Sequence, residues 1–239
     1  MLRLPRPNAN AARNVAIAAA RGDVLLSIDD DVLFGPDYAS RHAARYAKPQ
    51  TGFVMALTLD RVDQPQREAL AAHAALLALP QIPGADTLVP IKWAPTCSTS
   101  YRKAAILKAG GFDPYFTGGV ADDTDIAVRI LATGFSGFLD TGIALTHLAA
   151  TSGGYASRDP QRTFERRLND QRMRLYFASK NRLLIGTRDA ARLFVSSLRV
   201  VLRACRDRYG LAGWLRAPFA FARLAWHAAR DARTNAAHR

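Results

Sequence analysis

The 239-residue chain has only two cysteines, Cys97 and Cys205, and has no uncharged apolar run of about 18 residues. The cysteine spacing fits neither a zinc site nor a disulfide framework, so we expect a reducing, cytoplasmic environment. The absence of a long apolar run argues against a transmembrane helix, and the first residues lack the apolar core of a secretory signal peptide. Hydrophobic residues make up 49% and charged residues 22%, which excludes a disordered chain.

The basic residues are concentrated in the last third of the chain. The formal net charge is +13. Residues 1–157 contain 14 basic and 14 acidic residues, whereas residues 158–239 contain 19 basic and 6 acidic ones. We therefore predict a domain at residues 1–157 and a basic C-terminal extension at residues 158–239. Such an extension favours an anionic partner, either a membrane surface or a nucleic acid.

Short apolar segments alternate with helical patterns in the first part of the chain. Strands are predicted at residues 24–28, 52–59, 135–140 and 143–147, and helices at 37–47, 68–79, 103–109 and 122–133. Such alternation is typical of an α/β fold with a mostly parallel sheet and flanking helices.

The pattern of the last third of the chain predicts helices when its residues are placed at 100° per residue around a helix axis. Residues 158–181 form a charged helical stretch, and two amphipathic segments follow it. In the first segment an arginine stripe (Arg188, Arg192, Arg199, Arg203, Arg206) lies opposite Phe194, Leu198, Val201 and Cys205. In the second, Arg216, Arg223, Arg230 and Arg233 share a face, with Trp214, Phe219, Phe221 and Trp226 around the rest.

Two interpretations of these amphipathic segments stay open. The apolar face packs on the domain and the arginines are solvated, or the helices lie on an anionic inner leaflet with Trp214 and Trp226 at headgroup depth. A nucleic-acid partner is less favoured, because the segments carry no recognisable nucleic-acid-binding motif.

Three consecutive carboxylates, Asp29, Asp30 and Asp31, follow the predicted strand at residues 24–28. Ligands bind at the carboxyl ends of strands in open α/β sheets, and clustered carboxylates need a cation to offset their repulsion. Oxygen ligands suit Mg²⁺ or Mn²⁺, often shared with a diphosphate. The alternatives are a solvated acidic turn or the N-cap of the next helix.

A second acidic cluster follows a glycine-rich loop. Asp122, Asp123 and Asp125 occupy the start of a predicted helix, where the helix dipole favours negative charge. They are either N-terminal caps, or Asp123 acts as a general base at the mouth of a site. His147 ends the last predicted strand and is either a structural group or a ligand.

The order of these motifs resembles family-2 glycosyltransferases of the GT-A fold. The segment Ala12-Arg13-Asn14 … Arg21-Gly22-Asp23 … Asp29-Asp30-Asp31 resembles their DXD region. The segment Gly110-Gly111-Phe112-Asp113 … Asp122-Asp123-Thr124-Asp125 resembles their acceptor-side block, which usually has Glu-Asp in place of Asp122-Asp123. The family often has a histidine at the position of His147, and the resemblance covers residues 8–155.

The resemblance implies an inverting, metal-dependent transfer of a sugar from a nucleotide diphosphate to an acceptor hydroxyl. Asp29 to Asp31 would form the DXD element, with Asp29, Asp31 and His147 at a Mg²⁺ or Mn²⁺ ion. Asp123 would be the base, with Asp122 beside it. The remaining contacts to the nucleotide-sugar would come from Arg13, Asn14, Asp29 and Asp30.

The resemblance also implies partners and a location. The acceptor would be a cell-surface polysaccharide or a lipid-linked glycan, and the enzyme would lie peripherally on the inner face of the cell membrane. Relatives begin with a further strand–helix–strand unit that reads the nucleotide base, whereas only 28 residues precede Asp29 here. We therefore expect a GT-A domain lacking the N-terminal part of its nucleotide-binding half. The alternative function is a catalytically inactive remnant that binds a membrane or a partner.

Overall fold

The computed structural model describes residues 8–60, 87–117, 119–147 and 160–236. The strands of these residues are β1 Val24–Ile28, β2 Val32–Phe34, β3 Thr51–Asp60, β4 Leu88–Pro90, β5 Ser98–Arg102 and β6 Ser136–His147. The α-helices are α1 Ala9–Ala19, α2 Tyr38–Ala44, α3 Lys103–Lys108, α4 Asp122–Ala132, α5 Pro160–Lys180, α6 Arg182–Ile185, α7 Thr187–Tyr209 and α8 Ala212–Ala236. The predicted α/β class is confirmed, and the helix predicted at 68–79 lies outside the described residues.

The six strands form one sheet in the order β1-β5-β3-β6-β2, and β4 also pairs with β6. Only β3 and β6 run parallel among the described strands; the other four pairings are antiparallel. The prediction of a mostly parallel sheet is therefore wrong. Parallel neighbours need a long crossover connection, but alternation along the sequence does not reveal which strands become neighbours. Here β1 and β2 are joined by three residues and lie at opposite ends of the strand order.

The two strands predicted at 135–140 and 143–147 form one continuous strand, β6. Its pairing with β3 shifts between Ala56 and Leu57, which lie opposite Asp140 and Ala144. The extra residues form a bulge, and Asp140 accepts a hydrogen bond from the Gly142 N–H at 2.9 Å within it. The gap between the two predicted strands, residues 141–142, therefore lies within this bulge.

The described residues divide into two compact units. The first contains the sheet and consists of the described residues within 12–112 and 126–147; the second consists of residues 8–11, the described part of 113–125, and 160–236. Phe53, Tyr101, Ile106 and Ile126 belong to the main core of the first unit. The boundary at residue 157 between the predicted domain and the predicted C-terminal extension stays a prediction.

The second unit is built mainly from α5, α7 and α8. Val201, Cys205 and Ala217 form its buried core, and Gly213 allows α8 to approach α7, because a Cβ there would lie 2.2 Å from the Cys205 carbonyl oxygen. The predicted arginine stripe of α7 is exposed and its apolar side is buried or half-buried, as expected for an amphipathic helix. No helix within the described ranges is long and apolar enough to cross a membrane.

A buried histidine lies beside the sheet of the first unit. His42 is 1% exposed, and its Nδ1 lies 2.7 Å from Ser100 Oγ, which also contacts the Tyr46 hydroxyl. Burial lowers the pKa of His42 from 6.5 to about 4, although the charge of Asp140 opposes this shift. The folded protein therefore holds His42 neutral in a pH range where the unfolded chain would protonate it.

This burial predicts a pH-dependent stability. Between pH 6.5 and 4 the unfolded state binds more protons at His42, so the free energy of unfolding should fall as the pH falls from 7 to 5. We expect His42→Gln to flatten this slope in urea-unfolding measurements. Equal slopes for the wild type and His42→Gln would contradict the assignment.

Candidate functional site

The first acidic cluster lies where β1 ends and β2 begins. β1 ends at Ile28, the three aspartates form the turn, and β2 starts at Val32. β2 pairs antiparallel with the end of β6, and this register places Val32 opposite His147. Since Asp31 precedes Val32, the pairing brings a carboxylate of the turn next to the histidine at the end of β6.

The structure brings together the three predicted metal ligands. Asp29, Asp31 and His147 each offer one donor atom within 4.8 Å of the other two, and His147 Nε2 lies 3.2 Å from Asp31 Oδ1. Neighbouring ligands of an octahedral Mg²⁺-sized ion are about 3 Å apart. Two carboxylates and one imidazole can therefore hold a divalent cation after small side-chain movements. The imidazole nitrogen favours Mn²⁺ over the harder Mg²⁺.

The other residues predicted near the nucleotide differ in their surroundings. Asp30 is exposed and does not belong to the three-residue cluster. The Asn14 side chain donates to the Phe112 carbonyl at 2.7 Å and accepts from the Phe112 N–H at 2.8 Å, which gives it a structural role. Arg13 donates to Thr96 Oγ1 at 3.1 Å, and its guanidinium lies 5.3 Å from the Phe112 ring centre. A nucleotide contact of Arg13 or Asn14 stays a prediction.

The second acidic cluster occupies the first turn of α4. Ala121 precedes the helix with a φ of 65°, a left-handed conformation that is rare for alanine. Asp122 and Asp125 are buried, at 5% and 0% exposure, whereas Asp123 is half-buried. Asp123 Oδ1 accepts hydrogen bonds from the Thr124 N–H at 2.6 Å and the Thr124 hydroxyl at 3.2 Å. Of these three acids, Asp123 is the most accessible to a substrate.

A half-buried lysine, whose side chain is 10% exposed, holds this turn in place. Lys180 Nζ, at the end of α5, lies 2.7 Å from Asp113 Oδ2 and 2.7 Å from Asp125 Oδ1. Asp113 also accepts from the Tyr176 hydroxyl at 2.8 Å, and Asp125 accepts from the Asn181 amide at 2.8 Å. Burial by itself would raise the pKa of Asp113, but the hydrogen bond and charge of Lys180 hold that pKa below its usual value.

The loop before α4 makes a second set of contacts with the C-terminal helices. The Tyr115 hydroxyl donates to Asp231 of α8 and accepts from Arg172 of α5. Arg172 also lies 3.0 Å from Asp231. Burial opposes ionisation of Asp231, but its bonds to Tyr115, Arg230 and Arg172 lower its pKa to about 2. The loop before α4 and the C-terminal helices are thus joined by a set of polar contacts within the second unit.

Sequence reasoning did not find Tyr176, Lys180 or Asn181. A signal was present, because Lys180 follows Tyr176 by one turn and Met173 by two turns on a face that is otherwise apolar over these turns. A lysine in such a position predicts a buried acidic partner. The charge count did not reveal this lysine, because it counted Lys180 together with the solvated residues of the basic C-terminal extension.

The two acidic clusters belong to different compact units. Asp29, Asp31 and His147 lie in the first unit, and Asp122, Asp123 and Asp125 lie in the second. Their joint action on one substrate is therefore a proposal.

The comparisons with known proteins define the class of this chain. The model of a family described as "Glycosyl transferase family 21" matches residues 8–163, which is more than half of the sequence. The protein is therefore a member of a glycosyltransferase family, as the motif order predicts. It belongs to glycosyl transferase family 21, whereas the resemblance pointed to family 2.

Among solved structures, the chain is similar to GalNAc-T7, which was crystallised with UDP, GalNAc and Mn²⁺. The identity is 14% and the TM-score is 0.47. The similarity covers 73% of this chain and 37% of the GalNAc-T7 chain, so this protein spans little more than a third of that relative. No curated protein matches the sequence significantly.

The Lys180 network predicts a large effect on stability. Lys180→Met leaves two buried carboxylates without their cation, which should cost about 3–5 kcal/mol of unfolding free energy. Lys180→Arg keeps the charge and should cost less. Lys48→Met, which removes an exposed lysine, should change stability by about 0.5 kcal/mol or less. Urea unfolding tests all three variants, and equal effects of the Lys48 and Lys180 variants to methionine would refute the role of the network.

Proposed function

We propose that the protein is an inverting, metal-dependent glycosyltransferase that moves a sugar from a nucleotide-diphosphate donor to an acceptor hydroxyl. The observation that carries this proposal is the convergence of Asp29, Asp31 and His147 within 4.8 Å at the ends of β1 and β6. Membership of a glycosyltransferase family supports a role of that cluster in sugar transfer. The acceptor we propose is a cell-surface polysaccharide or a lipid-linked glycan.

In this reaction Asp29, Asp31 and His147 would hold Mn²⁺ or Mg²⁺ next to the donor diphosphate. A divalent cation at this place offsets the negative charge that grows on the leaving diphosphate. Arg13 and Asp30 are the proposed further contacts to the nucleotide-sugar. Asn14 supports that region indirectly, through its two hydrogen bonds to the Phe112 backbone.

Asp123 is the proposed general base. The acceptor hydroxyl attacks the anomeric carbon, the bond from that carbon to the diphosphate oxygen breaks, and Asp123 takes the hydroxyl proton. A single displacement of this kind inverts the anomeric configuration. Burial of Asp122 and Asp125 favours Asp123 for this role, because neither buried carboxylate is open to an acceptor. Asp122 and Asp125 position the turn that carries the base.

Nucleotide-sugar turnover tests these roles. With UDP-, GDP- and dTDP-sugars and Mn²⁺, we expect Asp123→Asn to lower turnover by about 10²–10⁴-fold, because proton abstraction is lost. Asp31→Ala should abolish the turnover that depends on Mn²⁺. The matched control is Asp37→Asn, an exposed aspartate whose ion pair with Arg41 lies on the surface of α2. Unchanged turnover in Asp31→Ala and Asp123→Asn would refute the assigned roles. If the wild type showed no turnover and no nucleotide binding, the alternative of an inactive remnant would be favoured.

The exposed side of α8 supports a membrane partner. Trp214, Leu215, Phe219 and Trp226 are 49%, 76%, 79% and 59% exposed, whereas the face of α8 that packs inward consists largely of alanines. Arginines lie among these apolar side chains, and the Arg230 guanidinium is 5.0 Å from the Trp226 ring centre. Aromatic side chains mixed with arginines suit an anionic headgroup region. We propose that α8 binds the inner leaflet, which is richer in anionic lipid.

Vesicle flotation tests this surface. The wild type should float with vesicles of phosphatidylcholine and phosphatidylglycerol, and less with phosphatidylcholine alone. We expect the triple variant Trp214→Ser/Phe219→Ser/Trp226→Ser to lose most of this binding, because its apolar anchors are gone. Leu107→Ser, which removes an exposed leucine of α3, should bind as the wild type does. Equal flotation of the triple variant, or retention by oligonucleotides instead of vesicles, would contradict the proposal.

A further inference from the structure

A cavity of about 570 Å³ lies in the second unit, among the end of α5, the start of α7 and the last turns of α8. Its walls are formed largely by alanines from these three helices, namely Ala178, Ala190, Ala229 and Ala232. Small side chains at facing positions leave space that larger residues would fill. The volume falls within the range of about 300–1,000 Å³ that is usual for small-molecule sites.

Three cationic residues line the cavity, but they are not equivalent. The charge of Lys180 is offset by Asp113 and Asp125, each 2.7 Å from its Nζ. Arg182 and Arg233 are exposed, and neither makes an ion pair with a carboxylate of residues 8–60, 87–117, 119–147 or 160–236. No acidic side chain of the described residues lines the cavity. Its net positive charge therefore comes from these two arginines.

The remaining lining is apolar. Phe194 of α7 adds an aromatic side chain to the alanine walls, and Ser179 is the one neutral polar side chain in the described lining. A cavity with apolar walls and two guanidinium groups fits a molecule that carries both an anionic group and a hydrocarbon part. Guanidinium groups match the geometry of phosphate oxygens, with which they form charge-assisted hydrogen bonds.

We propose that this cavity binds a phosphorylated amphiphile, with Arg182 and Arg233 on the phosphate and the hydrocarbon part against Phe194 and the alanines. This binding does not depend on the transfer reaction. It also differs from adsorption on a membrane surface, because the exposed aromatic side chains of α8 do not line the cavity.

Isothermal titration of the full chain with farnesyl phosphate, farnesol and inorganic phosphate tests the site. We expect farnesyl phosphate to bind at least about tenfold more tightly than either of the other two, since only it engages both parts of the cavity. Equal affinity for farnesol would show a purely apolar site. Equal affinity for inorganic phosphate would show a simple anion site. Either result would overturn the proposal.

Two variants with the same loss of charge locate the binding. Arg182→Gln/Arg233→Gln should weaken farnesyl phosphate binding about tenfold or more, because charge-assisted hydrogen bonds are lost. Arg199→Gln/Arg203→Gln removes two exposed arginines of α7 that do not line the cavity, and its affinity should stay within about twofold of the wild type. Ala229→Leu, which fills part of the cavity, should weaken farnesyl phosphate more than inorganic phosphate. Equal affinities of the two double variants would refute the site.

Discussion

Lys180 ties two buried carboxylates from different parts of the sequence to the end of α5, and the arrangement of the second unit depends on this contact. Asp113 lies in the loop before α4 and Asp125 in its first turn, so one ammonium group fixes both. A buried carboxylate without a cation would lower the free energy of unfolding, and the lysine without its acids would lower it as well. The proposed base, Asp123, lies two residues from Asp125 on the turn that Lys180 holds. The C-terminal helices therefore support the acidic turn directly.

The acidic cluster of the first unit depends on a different constraint, the register of β2 on β6. Val32 lies opposite His147, and this pairing sets the 3.2 Å separation of Asp31 and His147. A shift of one residue would turn every β2 side chain to the other face of the sheet and separate the ligands. Like the Lys180 network, the cluster joins residues that are far apart in the sequence, because His147 follows Asp31 by more than a hundred residues.

Sequence reasoning predicted local features well and long-range ones only in part. The strand before Asp29, the acidic start of α4 and the amphipathic pattern of α7 follow from local periodicity, and the structure contains all three. The sheet order did not follow, because pairing β5 between β1 and β3 is decided by tertiary packing. The grouping of Asp29, Asp31 and His147 was predicted from motif order, which carries information that spacing alone lacks. Lys180 was missed because composition counts a cation that is paired with buried acids together with the exposed ones.

The proposed transfer reaction requires Asp29, Asp31 and His147 to hold a divalent cation together with the donor diphosphate. Pulsed electron paramagnetic resonance of bound Mn²⁺ tests it most directly, because nitrogen and phosphorus nuclei near the ion are detected separately. We expect a nitrogen coupling from an imidazole that disappears in His147→Ala, and a phosphorus coupling that appears when UDP or another nucleoside diphosphate is added. Bound Mn²⁺ without a nitrogen coupling in the wild type, or without phosphorus coupling at saturating concentrations of UDP, GDP and dTDP, would contradict the account.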